Sequence, residues 1–579
     1  MKHIFRKVVL WGFISVVTVL LVQIVYIRLR DNYRYNYCRN LCFEYLDDSE
    51  FTIHPFYSRE KEEFIVVLPQ YWDAKDVVAK FEGKLTPINW VYDEMIEVQG
   101  KGKLLLFRTR QNTLFVNTES GSMEQIDASV DKSWKESGSI KVVDNNGRID
   151  YCNDFESIHG RGGSTWLSTI KKAYNLNTGS RVSLLGMQKG KKWCLLANSQ
   201  DRTNAKNYIA YHIAKELEIP FAVDQQYVSL YLNGNYNGLY LLTNSIKENK
   251  PDSVDLEYFV RLVRPGEPDN GERNIIPLDC GERLEIERPK KFYDETVEDL
   301  QNDFNSLIDS LRTGSGWTNK IDISSFATNY LMNEFFLNID YGNFYMYKSF
   351  GADNTIRAAS IWDFDHSMGE PFNKRSEGNY PNVFAHLMGY ELDSWDADFN
   401  GLIGELNKTT VFKNELKYIF VNRLKPSFET FFLGEGFEDL KKMLEYENQI
   451  DYLRWYPKVR NSTVEDIRSF IESRYAFYCE EYDSIDTSPF LSVITKHHLP
   501  ADNNTRIRVY KVRKDESFAL PLWGGSFKGW KDSSDNWITD EVTVSSDMTL
   551  CAEWGENKTV FKLSPEIKKV IKYLFIGEY

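Results

Sequence analysis

The segment Asn338-Ile-Asp-Tyr-Gly-Asn-Phe-Tyr-Met-Tyr347 sets Asp340 three residues before Asn343. Ile361-Trp-Asp-Phe-Asp-His-Ser-Met-Gly369 follows, with Asp363 and Asp365 on either side of one phenylalanine. Carboxylate and amide oxygens this close together, with apolar residues between them, suit a hard divalent cation such as Mg²⁺ and the phosphates it carries. In phosphoryl transfer, a carboxylate beside the substrate hydroxyl serves as base. An amide three residues on binds a second metal, and an Asp in an Asp-Phe-x turn chelates the metal on the β- and γ-phosphates. Asp340 and Asn343 have the spacing for the first two roles, and Asp363 or Asp365 for the third. Single aspartates usually cap a helix or a turn. Four such groups within 26 residues make capping the poorer account.

Two further stretches carry groups that recognise phosphate. His159-Gly-Arg-Gly-Gly-Ser-Thr-Trp166 precedes Lys171-Lys-Ala-Tyr174. Consecutive glycines let backbone N–H groups approach phosphate oxygens, and a nearby lysine adds a point charge. Arg161, Gly162, Gly163, Ser164, Lys171 and Lys172 are therefore candidates for nucleotide binding. Glycine clusters are most often plain turns, and this one is neither a Walker A loop nor a full G-x-G-x-x-G fingerprint. The next stretch, Leu184-Leu-Gly-Met-Gln-Lys-Gly-Lys-Lys-Trp-Cys-Leu-Leu-Ala-Asn198, runs into Asp201-Arg202 and a helix. Arg202, Lys206 and Asn207 are candidates for holding that loop or touching nucleotide. Glu216 is a candidate for the Lys-to-Glu ion pair that orients the phosphate-binding lysine of kinase-like folds. The competing reading of Glu216 is the solvated face of an ordinary helix.

The elements that must position these groups are legible in outline. Thr203 to Glu218 has helical spacing and ends before Pro220. Tyr227-Val-Ser-Leu-Tyr-Leu and Leu239-Tyr-Leu-Leu-Thr flank Asn233-Gly-Asn-Tyr-Asn-Gly238, which has the turn chemistry of a β-hairpin. Helical periodicity covers 296–311, 323–337 and 412–432. Upstream, Phe64-Ile-Val-Val-Leu, Leu104-Leu-Leu-Phe and Thr113-Leu-Phe-Val alternate with turn signals and read as strands. Ser564-Pro-Glu-Ile-Lys-Lys-Val-Ile-Lys-Tyr-Leu near the C-terminus has a cap and a first-turn proline, as a short helix does.

Taken together, several motifs stand in one order: Gly-Arg-Gly-Gly-Ser-Thr-Trp, Lys-Lys-Ala-Tyr, Leu-Leu-Gly-Met, Trp-Cys-Leu-Leu-Ala-Asn, Leu-Tyr-Leu-Asn-Gly-x-Tyr-x-Gly-Leu-Tyr-Leu-Leu-Thr, Asn-Ile-Asp-Tyr-Gly-Asn-Phe-Tyr and Trp-Asp-Phe-Asp. Their set resembles the CotH kinase family, the spore-coat CotH proteins and their bacterial relatives, from about residue 140 to about 430. The resemblance implies an atypical protein-kinase-like fold of two lobes. It also implies transfer of phosphate from ATP, with Mg²⁺, to protein Ser or Thr. Under it, Asp340 corresponds to the catalytic Asp, Asp363 and Asp365 to metal-binding acids, and Lys171 or Lys172 to the phosphate-contacting lysine. The chain departs from the usual pattern at Gly163, where Asn is usual, at Lys206, where Arg is usual, and at Asn244, where Glu often stands. A Lys lacks the bidentate fork of an Arg. The segment 506–554, with Phe527-Lys-Gly-Trp530 and Met548-Thr-Leu-Cys-Ala-Glu-Trp554, looks like one β-grasp-type repeat of bacterial surface proteins.

Composition sets the remaining bounds. At 579 residues the chain is too long for one core, and its 42% hydrophobic content supports several. A net charge of −14 argues against nucleic acid as the main partner. Seven scattered cysteines give no disulfide framework. Residues 8–27 form an apolar run long enough to span a bilayer, which predicts a single-pass anchor with the bulk of the chain outside the cytoplasm. The expected organisation is an α+β chain: anchor 1–30, β-rich region 31–140, kinase-like domain 141–485, β-grasp-like module 486–556 and helical tail 557–579. The expected partner is a surface or envelope protein substrate. Two alternatives stand beside kinase activity: a catalytically degenerate surface scaffold or adhesion protein, and a kinase-fold transferase of another group such as AMP.

Overall fold

The computed structural model describes residues 23, 25–46, 48–92, 94–246, 254–263, 274–291, 293–339, 344–351, 355–369, 381, 383–384, 390–392, 401–455, 463–483, 490–498, 504–523 and 526–555. It is an α+β chain. The expected single-pass membrane topology is corrected: among the described residues, no helix is long and apolar enough to cross a membrane. Most of the apolar run 8–27 lies outside the described residues, as do Asp340, Asn343 and the expected C-terminal helix. All seven cysteines are free thiols.

The chain forms two compact units. Unit 1 comprises 1–251 and 429–465, and unit 2 comprises 252–428 and 466–579. Unit 1 is built on a closed seven-stranded barrel, whose staves are β1 (Asn112–Thr118), β2 (Glu136–Val143), β3 (Ile149–Arg161), β4 (Ala173–Val182), β5 (Gly190–Leu196), β6 (Gln225–Leu232) and β7 (Asn235–Asn244). Around the barrel the order is β2-β3-β4-β5-β7-β6-β1, and only β6 against β1 is parallel. The β6–β7 hairpin closes on Asn233 (φ 47°) and Gly234 (φ 77°), two left-handed residues in succession, as the tight hairpin turn demands. Alternate residues fill the barrel: Ile140, Ile158, Leu176, Trp193, Leu195, Leu230 and Leu242 are all buried in one cluster. Strand alternation therefore turns Asn175, Cys194 and Thr243 to the outside.

A second cluster lies under two smaller sheets. One is formed by Leu41–Tyr45, Val77–Phe81 and Lys84–Thr86, the other by Phe56–Ser58, Glu63–Pro69, Ile88–Tyr92, Met95–Val98 and Gly102–Thr109. Unit 1 also holds helix α1 (Lys206–Glu216) and helix α2 (Glu435–Trp455). Ile450 and Leu453 of α2 belong to that second cluster, so the helix supplies core as well as polar groups.

In unit 2, a five-stranded sheet runs Ile275–Pro277, Arg283–Arg288, Leu256–Leu262, Tyr345–Ser349, Arg357–Ala358. Helices Asp294–Thr313 and Ile323–Phe335 follow their periodicity closely; the first ends on left-handed Gly314 and the second begins on Asp322, whose side chain accepts from Ser325 N. Near the C-terminus, strands Phe490–His498, Asn504–Arg513, Phe527–Asp532, Trp537–Ile538 and Met548–Trp554 share one sheet.

Candidate functional site

Lys171 lies two residues before Ala173, the first residue of β4, and its ammonium is fully buried. It pairs with Asp451 of α2 at 2.9 Å and donates to the Leu239 carbonyl of β7 at 2.6 Å. The Tyr240 ring lies 4.8 Å away. Asp451 is equally buried: its Oδ1 also accepts the Leu239 N–H at 2.9 Å, while its Oδ2 has no hydrogen-bond partner. Burial pushes the Lys171 ammonium below its ordinary value, and the carboxylate of Asp451 opposes that shift. Gly238 makes the pair possible. At φ +105°, a Cβ on this residue would stand 2.2 Å from Asp451 Oδ1 and 3.2 Å from Lys171 Cε.

Kinase-like folds pair the lysine of the phosphate site with an acid on a helix, and here a buried lysine is paired with an acid of helix α2. The acid expected to pair with a phosphate-site lysine, Glu216, does not pair with Lys171. It lies exposed at the end of α1, and Lys171 is paired with Asp451. Lys172 is placed differently. Its ammonium donates to the Trp166 carbonyl and lies 5.1 Å from that indole ring.

The glycine stretch closes β3 and turns into a five-residue helix beginning at Ser164. Gly160 is required by packing, since a Cβ there would come within 2.5 Å of the Trp166 ring. Gly162 is required by conformation, at φ +106°, and its carbonyl accepts the Lys132 ammonium at 2.6 Å. Gly163 has open space around it, so an asparagine would fit. Arg161 is half-buried and donates through Nη1 to Asn175 Oδ1 at 3.0 Å and Cys194 Sγ at 3.2 Å.

The loop before α1 is fixed by buried amides. Asp201 receives the Thr203 and Lys206 N–H groups at 3.0 and 2.8 Å. Asn204 donates to Asn448 Oδ1 at 2.8 Å, Asn448 donates to the Thr203 carbonyl at 2.9 Å, and Asn207 donates to Asn198 Oδ1 at 3.1 Å. The Arg202 carbonyl accepts the Tyr452 hydroxyl. Glu447, one turn before Asp451, accepts from Arg110 N at 2.8 Å and Thr109 Oγ1 at 3.0 Å. Burial raises its carboxyl to about 7. None of Glu447, Asn448 and Asp451 was anticipated from sequence, although their spacing of one and four residues places them on one helix face.

In unit 2, the two acidic stretches meet. Ile339 N donates to the His366 carbonyl at 2.9 Å, Met368 N to the Phe336 carbonyl at 2.8 Å, and Asn338 Nδ2 to the Asp363 carbonyl at 3.2 Å. Asn338 is held in turn by Asn333 Oδ1 at 3.2 Å, and Asn333 by Asn329 at 3.0 Å. Arg474, fully buried, donates to the Phe335 carbonyl at 3.0 Å and to the Glu334 carbonyl, placing a cation at the C-terminus of Ile323–Phe335. The strand of chain that leads into Asp340 is thus fixed against the Asp363 segment. Asp363 (φ +64°) and Asp365 are half-buried on either side of fully buried Phe364.

Among the described residues, no three His, Cys, Asp or Glu side chains cluster to cage an ion. One or two accessible carboxylates are what Mg²⁺ takes from a protein when phosphate oxygens and water fill the rest of its octahedron. Asp363 and Asp365, both half-buried, are oxygen donors of the kind that ion takes.

No curated protein matches this sequence. The CotH kinase protein family matches residues 158–478, a span that contains β4, the Lys171–Asp451 pair, Arg474 and both acidic stretches. Membership implies a kinase-like function with general use of nucleotide and divalent metal. Because that match covers more than half of the sequence, the chain belongs to the CotH kinase family.

Proposed function

We propose that the protein transfers the γ-phosphoryl group of ATP to Ser or Thr hydroxyls of a protein substrate. The observation that carries this reading is the buried Lys171–Asp451 pair, set by Gly238, in a chain of this family. Asp340 takes the proton of the acceptor hydroxyl as the new O–P bond forms, and the bond from the γ-phosphorus to the bridging oxygen breaks to release ADP. Asn343, Asp363 and Asp365 would hold Mg²⁺, which would neutralise charge on the phosphates. Asn338 and Arg474 position the chain on which Asp340 sits. Lys171 is the kinase-like lysine, with Asp451 in the place expected for Glu216.

The test is Mg²⁺-dependent transfer of labelled γ-phosphate by the purified chain, compared with Asp340→Ala and Asp363→Ala. Wild type should label an acceptor protein, and each variant should fall by about 10²-fold or more, as loss of a catalytic base or a metal ligand does. If wild type labels nothing and ATP leaves its melting temperature unchanged, the reading fails. An acceptor that gains the mass of AMP instead of one phosphate would replace the phosphoryl reading with nucleotidyl transfer.

A further inference from the structure

The sheet near the C-terminus buries one face that is apolar at one end and polar at the other. On strand Phe490–His498, Val493, Thr495 and His497 are buried in alternation, so they share that face. Thr495 stands in register with Leu550 of Met548–Trp554, and alternation puts Leu550, Ala552 and Trp554 on the same side. Val493, Leu550 and Tyr510, whose ring lies 5.0 Å from that of Phe518, make the apolar end.

Four hydrogen-bond donors gather at the other end. The Trp523 ring packs 4.5 Å from the His497 ring, and Thr495, two residues before that histidine, is only 1% exposed. Trp554 packs on Phe527 with ring centroids 5.3 Å apart, and the next residue, Gly555, donates its N–H to the Ser526 carbonyl at 2.7 Å. Thr495 Oγ1, Trp523 Nε1, Ser526 Oγ and Trp554 Nε1 are all buried, and among the described residues none of these four atoms has a hydrogen-bond partner. Trp530, on the same sheet, does have one: its indole N–H donates to the Pro521 carbonyl at 2.8 Å. Buried donors left without a partner are costly, and native folds keep few of them. Four at one end of one sheet are more than packing accounts for. An indole N–H can only donate, and a hydroxyl can donate as readily as accept, so the group that satisfies this set carries several acceptor oxygens. Arg508, buried and directly across from Thr495, adds a cation to the same face.

We propose that the polar end of this sheet is a binding site for an oxyanion, in which Thr495, Trp523, Ser526 and Trp554 donate to the oxygens of a phosphate or carboxylate group. The His497 ring fixes the plane of Trp523 and so the direction of its N–H. The four residues lie beyond residue 478, where the family match ends, so the site does not rest on the kinase reading.

The test is titration of the full chain, labelled with ¹⁵N at its tryptophan indoles, using inorganic phosphate and acetate as probes at constant ionic strength in chloride. Trp523→Phe and Trp554→Phe identify the two indole signals by their loss, and Trp537→Phe, at an exposed position on the same sheet, is the control. Phosphate, acetate or both should move the Trp523 and Trp554 signals downfield as their N–H groups gain an acceptor, and leave the Trp530 and Trp537 signals in place. Affinity read from those two signals should weaken by about 3- to 10-fold in Thr495→Val and in Ser526→Ala. In chloride alone, Thr495→Val should melt no lower than wild type, because it removes a buried hydroxyl that has no partner. A lower melting temperature for that variant would assign the hydroxyl a structural role and count against the site. Movement with one anion and not the other supports the site and names its ligand oxygens as those of phosphate or of carboxylate. If neither anion moves the two signals, or if Thr495→Val and Ser526→Ala both bind as tightly as wild type, the site is overturned and the kinase reading is untouched.

Discussion

Asp451 and Gly238 decide the site at the scale of single residues, and neither announces itself in the sequence. The lysine pair, the glycine turn and the three acids with Asn343 are dense local motifs, legible because their chemistry needs neighbours along the chain. Asp451 is separated from Lys171 by most of unit 2, and an acid on a charged helix reads as a solvated face. Glu216, closer in sequence, was the natural partner to expect; it ends on the exposed side of α1 because the residues α1 turns to the interior are Ile209, Ala210, Ile213 and Ala214. Removing one partner of a buried ion pair leaves an uncompensated charge and costs about 3 to 5 kcal/mol. Asp451→Ala should therefore unfold at markedly lower urea concentration. Gly238→Ala should lose about 3 kcal/mol or more, because its Cβ meets Asp451 Oδ1 at 2.2 Å and its φ is +105°. The double variant Gly238→Ala, Asp451→Ala should lose much less than the sum, since the second change removes the atom that the first one strikes. Additive urea midpoints would mean that Gly238 is needed for its conformation alone.

Among the elements, α2 carries a result that its sequence hides. The β6–β7 hairpin and α1 were legible because turn chemistry and helical spacing are local. The helix at 294–313 was legible because Leu300, Phe304, Leu307, Ile308 and Leu311 form an apolar stripe, and the one at 323–335 because its start on Asp322 and its apolar content are local. In α2, by contrast, acids and amides alternate with the core residues Phe437, Leu440, Leu444 and Ile450, and the polar groups are themselves buried against the barrel. Glu447 gives this face a pH signature. Its carboxyl rises from an ordinary 4.5 to about 7 because burial outweighs the bonds from Arg110 N and Thr109 Oγ1. The folded chain therefore keeps a proton that the unfolded chain has released. The stability this contributes is complete below about 4.5, declines between 4.5 and 7, and is absent above 7. Glu447→Gln keeps the shape and an acceptor for Arg110, and has nothing to titrate. Between pH 5 and pH 8, wild type should lose more unfolding free energy than Glu447→Gln, by up to about 3 kcal/mol. Equal losses would show that Glu447 is ionised in the folded protein.

At the scale of the whole molecule, the chain completes unit 1 only after passing through unit 2. Residues 1–251 supply the barrel, and 429–465 return to supply α2. Sequence patterns show where strands and helices form, but a discontinuous unit is specified by which buried faces need each other, and that is written across distant residues. Lys171 has its counter-charge in the returning segment, Thr109 and Arg110 have Glu447 there, and the cluster under the two small sheets has Ile450 and Leu453 there. A fragment ending at residue 251 should therefore be poorly folded even though it contains every barrel strand. It would leave the lysine without its acid and strip core side chains from that cluster. Joining 1–251 to 429–465 through a flexible Gly/Ser linker should restore a single cooperative melt, with near-ultraviolet circular dichroism reporting packed tyrosines and tryptophans. The same linked fragment with Asp451→Ala and Glu447→Ala should melt at lower temperature or lose cooperativity, because it restores the helix without the two carboxyl side chains that seat it. Should the 1–251 fragment melt cooperatively by itself, at a temperature matching the linked form, α2 would be an accessory to the barrel and the Lys171–Asp451 pair would be dispensable for folding.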